Sequence, residues 1–409
     1  MGKIQEEILM KKFTALLLAV VMMLGLVSIA SAEEMKVAMI TDYGDITDQS
    51  FNQTTWEAVV EFGTKYNVEY KYFKPDTNDT AGRVAKVEAA IDDGYNVIVM
   101  PGYAFGGTIA EVSGEYTDVK FIALDVGAGD LLEGGVALAG QAYDYNPDNW
   151  TLTDYVHMDN VYCAIYQEEL CGYMAGYAAV KLGYTKLGFL GGMAVPAVIR
   201  YGFGFVQGCD AAAKELNINV DVKYVYGNQF FGDADITAYM DNWYQNGTQV
   251  VFACGGGIYT SAVDAAKKVA GAKVIGVDVD QAGVITNYAA GGDDAPADEK
   301  AKWADLTITS AMKGLAPATI DTLTDVIING NWEKYAGKID TLGLVNPEDP
   351  AANYVQIAGT TQFVEGKFST ADYAAMVKAM FEGTIAVSAD IAAEPAVTNA
   401  TVEYLGNIK

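Results

Sequence analysis

The chain has 409 residues, 51% of them hydrophobic, which is ample for two cored domains. Its formal charge of −27 at pH 7 argues against a nucleic-acid surface, because gripping phosphates needs a basic patch. The lone histidine, His157, leaves no HExxH or His-rich metal cluster to assemble and counts against most histidine-dependent catalysis.

Residues 10–32 read as a secretory signal. Met10-Lys11-Lys12 gives the positive start, Ala15 to Ile29 the apolar region, and Ala30-Ser31-Ala32 an A-x-A cleavage site, with cleavage expected after Ala32. Met1 to Leu9 read as a start-site extension, which leaves Met1 and Met10 as alternative initiators. No other stretch is long and apolar enough to span a bilayer, so the expectation is a soluble protein on the periplasmic or extracytoplasmic face of the membrane. Cys163, Cys171, Cys209 and Cys254 lack CxxC spacing, which favours buried thiols over zinc or redox chemistry. A Cys163–Cys171 disulfide is the alternative that export would permit.

Lys36 to Thr41 is a first strand. A turn through Asp42 and Tyr43 leads to Asp48-Gln49-Ser50-Phe51-Asn52-Gln53, which opens a helix running to about Tyr66. A helix N-terminus at a strand's carboxyl edge has free N–H groups and suits a polar ligand; alternatively, Asp48 only caps the helix. Val68 to Phe73 is a strand and Thr80 to Asp92 a helix.

Gly94 to Asp125 then introduces a unit that returns at Gly247 to Asp278, each copy running 31 positions from glycine to aspartate. An apolar run follows each glycine: Val97 to Met100, and Val250 to Ala253. A glycine turn comes next, at Gly102 and at Gly255-Gly256-Gly257. A helix then leads to a second apolar run ending in Asp125 or Asp278. Short buried strands alternating with helices mean βαβ units and a parallel sheet, and two distant copies mean two lobes of like architecture. Ligands collect beyond the carboxyl ends of such strands, so Asp125 and Asp278 are expected to face one cleft from opposite walls; the plainer reading is that each caps the following helix.

From Gly140 to Asn160 the sequence is an irregular excursion rich in Gly, Asp, Asn and Tyr, read as a packed surface loop, with Tyr143, Tyr145, Trp150 and Tyr155 roofing a cleft as the alternative. Tyr162 to Tyr166 is a crossing strand, and Glu168 to Leu182 a helix with Gly172 and Gly176 placed for close approach. Lys186 to Leu190 begins the second lobe. Gly191-Gly192-Met193 resembles a phosphate-cradling turn only faintly. The helix Ala197 to Leu216, the strand Val220 to Tyr226 and the helix Ala234 to Asn246 follow. Between the last two lies a loop in which Phe230 or Phe231 could stack on a flat ligand, or both could plug the loop onto its lobe. A helix from about Ala301 to Met312 is expected to return to the first lobe. A helix Ala316 to Asn329, a strand Tyr354 to Ile357 and a helix Thr370 to Glu382 come next, and the tail after Ile391 wraps loosely. The expected division is 1–32 extension and signal; 35–160 with 300–335 as lobe 1; 161–299 with 336–390 as lobe 2; and 391–409 as tail.

Four motifs, Asp48-x-Ser-Phe-Asn-Gln53, Glu169-x-x-x-Tyr-Met-Ala-Gly176, Gly276-Val-Asp-Val-Asp-Gln281 and Thr309-Ser310-x-x-Lys313, carry a resemblance that spans residues 36 to about 385. Taken in order they resemble the basic membrane protein family of ABC-transporter substrate-binding proteins. That resemblance implies an α/β type I periplasmic binding protein fold, with two Rossmann-like lobes of parallel sheet joined by hinge crossings. It also implies a purine nucleoside as ligand, an ABC permease as partner and a monomer, with no catalysis, cofactor or metal. Asp48 and Asn52 of the Phe51-containing motif, with Asp125, would read the purine edge, and Phe231 with Tyr43 would sandwich the base. Asp278 and Lys313 would hold the ribose, with Gly256 and its neighbours approaching the sugar. Members of the family commonly carry a cysteine right after the signal; here Glu33 follows Ala32. A sugar or another small polar metabolite is the alternative ligand, and a sensor for a membrane receptor or an exported hydrolase the alternative role.

Overall fold

The two copies of the repeated unit fold alike down to their backbone angles. A computed structural model of the chain describes residues 34–42 and 44–409; the expected signal segment and Tyr43 lie outside the described residues. In the first copy Gly94, Gly102 and Asp125 take positive φ values of 89°, 125° and 59°; in the second, Gly247, Gly255 and Asp278 take 93°, 146° and 65°. The glycines occupy this region without a Cβ penalty, but the aspartates do not, and such strained side-chain-bearing residues persist only where their surroundings hold them.

The strands, in chain order, are β1 Val37–Ile40, β2 Tyr70–Phe73, β3 Val97–Pro101, β4 Lys120–Leu124, β5 Val161–Tyr166, β6 Lys186–Gly191, β7 Val220–Tyr226, β8 Val250–Cys254, β9 Lys273–Asp278, β10 Thr307–Lys313, β11 Lys338–Leu342, β12 Val355–Ile357 and β13 Ala400–Asn407. The first lobe is built on a parallel sheet in the order β11-β5-β4-β3-β1-β2, the second on the order β12-β10-β9-β8-β6-β7-β13, in which only β12 runs antiparallel. The central strands are apolar and buried along their whole length, as strands covered on both faces must be. Each fully buried Val, Ile or Leu in them contributes roughly 1.5–3 kcal/mol of transfer free energy.

Several segments differ from the sequence expectation. The stretch read as a helix over 301–312 is a short helix, Ala297–Trp303, followed by β10. Its Thr-Ile-Thr-Ser run prefers extended backbone, and pairing with both β9 and β12 buries the strand in the second sheet rather than returning it to the first lobe. The return is made by the Leu315–Leu323 helix, which packs on the Phe51–Tyr66 helix. β5 and β11, placed by sequence in lobe 2, pair with each other and with β4 in the first sheet. The tail does not wrap loosely: β13 pairs parallel with β7. All four cysteines are free and buried.

The chain crosses between the sheets after β5, after β10 and between β11 and β12. These crossings lie side by side. Gln167 N–H donates to the Leu342 carbonyl at 3.0 Å, Tyr354 N–H to Gly343 at 3.0 Å, and Gly314 N–H to Tyr354 at 2.6 Å. After the first crossing, the Glu168–Leu182 helix packs on the Pro196–Leu216 helix through Gly172 and Gly176 on one side and Gly204 and Gly208 on the other. The approach is close enough that a Cβ on Gly204 would lie 2.1 Å from the Glu169 carbonyl oxygen.

Candidate ligand-binding cleft

The carboxyl ends of the two sheets face each other across a cleft of about 520 Å³. Its walls are the turns that leave the strands: Asp42 after β1, Gly102 after β3 and Asp125 after β4 on one side, and Met193 after β6, Asn228–Phe231 after β7, Gly255–Gly257 after β8 and Asp278 on the other. Lys313, the last residue of β10, lies at its floor beside the hinge.

Lys313 organises the charge. Its ammonium donates to Asp125 Oδ2 and to Glu168 Oε1 at 3.5 Å, and lies 3.8 Å from Asp278 Oδ1. Its side chain is only 3% exposed, and the rings of Phe51, Tyr166 and Tyr201 surround it at 4.8, 5.5 and 5.6 Å. Burial alone would lower its pKa, but the charges of Asp125, Asp278 and Glu168 outweigh burial and hold it above the ordinary lysine value. Glu168, fully buried, is shared with Arg200, whose Nε donates to it at 2.6 Å. Burial pushes Asp125 up to about 7, against the opposing pull of Lys313. Its Oδ1 is buried with no hydrogen-bond partner among the described residues. A buried acceptor left so costs about 1–3 kcal/mol, so a donor arriving there would be well received.

Asp278 joins the two lobes. Its Oδ2 accepts from Ser50 Oγ at 2.7 Å and its Oδ1 from Tyr201 OH at 3.4 Å. Neither Asp125 nor Asp278 caps the next helix: that position belongs to Gly127 and to Gln281, respectively. Asp48 does act as a cap. It accepts from the backbone N–H groups of Ser50, Asn52 and Gln53, and from Asn52 Nδ2. Burial raises its pKa, partly offset by these bonds. Asn52 Nδ2 also donates to Asp42 at 2.9 Å, so the pair forms one polar network in the cleft wall. Tyr43 lies outside the described residues.

The two phenylalanines of the β7 loop both line the cleft but differ in exposure. Phe230 packs over Gly192 and Gly255, where a Cβ on Gly192 would sit 2.4 Å from its ring. Phe231 lines the cleft and is 61% exposed. Gly257 N–H holds the loop by donating to the Phe230 carbonyl at 2.8 Å, and Gly256, with φ 48°, lets that backbone come close. The Gly140–Asn160 excursion contributes nothing to the cleft. It packs on the Ala128–Leu138 helix, with Asp144 accepting from Trp150 Nε1 and Asn149 Nδ2 at 2.7 Å each. Sequence reasoning overlooked Ser50 as a partner of Asp278, Glu168 as a further carboxylate on Lys313, and Arg200 as the cation that shares Glu168. An arginine amid the apolar face of its helix, and two adjacent glutamates opening another, were the available signals.

The profile of the Bmp family, described as ABC transporter substrate-binding protein PnrA-like, matches residues 35–346. The chain is 28% identical over 262 residues to the ABC transporter nucleoside-binding protein BmpA of Lactococcus lactis subsp. cremoris (strain MG1363), a match covering 61% of this chain and 65% of that relative. The matched stretch is thus less than two thirds of the relative's length. Among solved structures, an ABC transporter solute-binding protein from Aeropyrum pernix K1 superposes with a TM-score of 0.60 at 18% identity, covering 86% of this chain and 87% of the other. One from Conexibacter woesei DSM 14684 gives 0.57 at 21% identity, covering 87% and 98%. At such identities the likeness concerns the fold, which is that of the type I periplasmic binding proteins. Because the profile covers most of the chain, from β1 through β11, the chain belongs to the Bmp family of PnrA-like ABC transporter substrate-binding proteins.

Proposed function

We propose that the cleft binds a purine nucleoside and that the closed form delivers it to an ABC permease from the outer face of the membrane. The observation that carries this reading is Phe231, an aromatic ring left 61% exposed on the cleft wall, with Phe230 beside it more deeply packed against Gly192 and Gly255. A large exposed apolar face is what a purine ring would cover. Opposite kinds of polar group suit the sugar: Asp278 accepts from hydroxyls, and Lys313 donates to them. Asp125, Asp48 and Asn52 supply the hydrogen-bonding wall for the base. The volume falls within the ordinary range for a small-molecule site. The name of the Lactococcus relative, a nucleoside-binding protein, agrees with this choice of ligand. Contacts from both lobes to one ligand would favour the closed form, with the three side-by-side crossings as hinge. Among the described residues no helix is long and apolar enough to cross a membrane, so delivery would depend on docking to the permease.

The test is calorimetric titration of the mature protein, unfolded and refolded to strip endogenous ligand, with inosine, guanosine, adenosine, uridine, ribose and glucose. Purine nucleosides should bind and ribose should stay silent. Phe231→Ala should weaken inosine binding about 3- to 10-fold, the worth of one aromatic stacking contact. A response to glucose with silence from every nucleoside would overturn the assignment.

A further inference from the structure

The segment after residue 346 lies beyond the family profile, yet its final strand reaches the cleft rim. β13 begins under a clamp. Asp210 Oδ1, on the Pro196–Leu216 helix, accepts from the backbone N–H groups of Thr398, Asn399 and Ala400 at 2.7, 2.5 and 2.9 Å. The strand then runs parallel to β7 in register from Ala400 opposite Val220 to Tyr404 opposite Tyr224. Tyr404 packs on Tyr224 with ring centroids 5.1 Å apart. The register shifts at Leu405–Gly406, where Gly406 takes φ 67°. This brings Ile408 N–H onto the Tyr226 carbonyl at 2.8 Å, at the point where β7 gives way to the Phe231 loop.

Lys409 closes the connection. Its ammonium pairs with Asp233 and lies 3.4 Å from Gln229 Oε1. Gln229 Nε2 in turn donates to the Phe231 carbonyl at 2.8 Å and to Asp233 Oδ2 at 2.9 Å. Asp233 caps the Ala234–Gln245 helix through the Ile236 N–H. Lys409 therefore joins the two residues that bracket the Phe230–Phe231 turn, and one of them holds the Phe231 backbone.

We propose that β13 and Lys409 form a strap that positions the aromatic wall of the cleft, with Lys409 a positioning residue for Phe231. The ligand side of this proposal rests on the reading of the cleft given above; the loop-ordering side does not. The loop is also held by Asn228 N–H on the Gly192 carbonyl at 2.9 Å, Gly257 N–H on the Phe230 carbonyl at 2.8 Å and Asp233 N–H on Ser261 Oγ at 2.9 Å. The Phe231 carbonyl itself is held by Gln229 of the Gln229–Asp233–Lys409 network. Loosening the network leaves Phe231, already exposed, free to leave the stacking position.

The experiment uses the full chain carrying Lys409→Glu, which sets two like charges against each other, with Lys409→Arg as the rescuing variant. Hydrogen exchange of the ligand-free protein should show residues 228–233 exchanging severalfold faster in K409E and at the wild-type rate in K409R, with the thermal midpoint unchanged. Inosine affinity should fall about five-fold in K409E, the upper end for an exposed ion pair, and this fall should vanish in a Phe231→Ala background. Unchanged exchange in residues 228–233, or an equal loss of affinity with and without Phe231, would overturn the proposal. If the wild-type protein binds no nucleoside, the ligand reading fails and the exchange measurement alone decides the strap.

Discussion

Replacing Lys313 by methionine tests whether the buried charge at the hinge is balanced as described. The substitution keeps an unbranched side chain under Phe51, Tyr166 and Tyr201 but removes the only cation hydrogen-bonded to Asp125 among the described residues. Glu168 retains Arg200 and Asp278 retains Ser50 and Tyr201, so the uncompensated charge falls mainly on Asp125. Breaking a buried ion pair from one side costs about 3–5 kcal/mol, which at about 2 °C per kcal/mol lowers the melting temperature by roughly 6–10 °C at pH 8. The penalty should shrink in acid. Asp125 already has its pKa raised by burial to about 7, and losing Lys313 raises it further, so the folded variant takes up a proton that the unfolded chain takes up only near pH 4. A carboxyl whose folded pKa is raised contributes stability near its unfolded pKa and loses it as pH rises through the folded value. At pH 5 the penalty should therefore be smaller than at pH 8 by about 1.4 kcal/mol, because linkage separates variant from wild type only between the wild-type value near 7 and pH 8. Thermal denaturation at pH 5 and pH 8 decides. A loss below about 1 kcal/mol at pH 8, or equal losses at the two pH values, would refute the charge accounting.

Glu169 offers a second pH test. It is buried with Oε2 unpartnered among the described residues, and burial pushes its pKa up to about 7. Its stabilising proton is held below the unfolded value and lost as pH rises towards 7, so Glu169→Gln should gain on wild type by roughly 1–3 kcal/mol between pH 5 and pH 8, read as a difference in melting temperature. A constant difference would mean that Glu169 is not the titrating group. Gly204→Ala should destabilise by roughly 1–3 kcal/mol or more, because its Cβ would lie 2.1 Å from the Glu169 carbonyl oxygen and would force the two hinge-side helices apart. Urea denaturation checks this, and a neutral result would mean that the helices separate without cost.

The site was more legible than the topology around it. Asp125 and Asp278 could be found because a duplicated βαβ unit repeats its chemistry at a fixed spacing, and spacing survives in sequence. Lys313 was found by motif but placed on a helix; the β-branched run Thr307–Thr309 was a local sign of a strand, and pairing with β9 and β12 decides it. The lobe membership of β11 was hidden because its partner β5 lies 176 residues away, Lys338 opposite Tyr162, and leaves no local trace. The composition of the tail, with its Ala, Glu and Thr, gave no sign that it would cover the open edge of β7.

By itself, then, the sequence determined the α/β architecture, the duplicated lobes and the strand-end carboxylates, because hydrophobic periodicity and turn glycines act over a few residues. Only the tertiary structure decided which of Phe230 and Phe231 stays exposed in the cleft, since that depends on Gly192 and Gly255 making room for one ring and leaving the other uncovered. It alone brought Lys313, Glu168, Arg200 and the two aspartates into one ion-paired cluster, because burial makes charges seek partners across whatever distance in sequence the fold has closed.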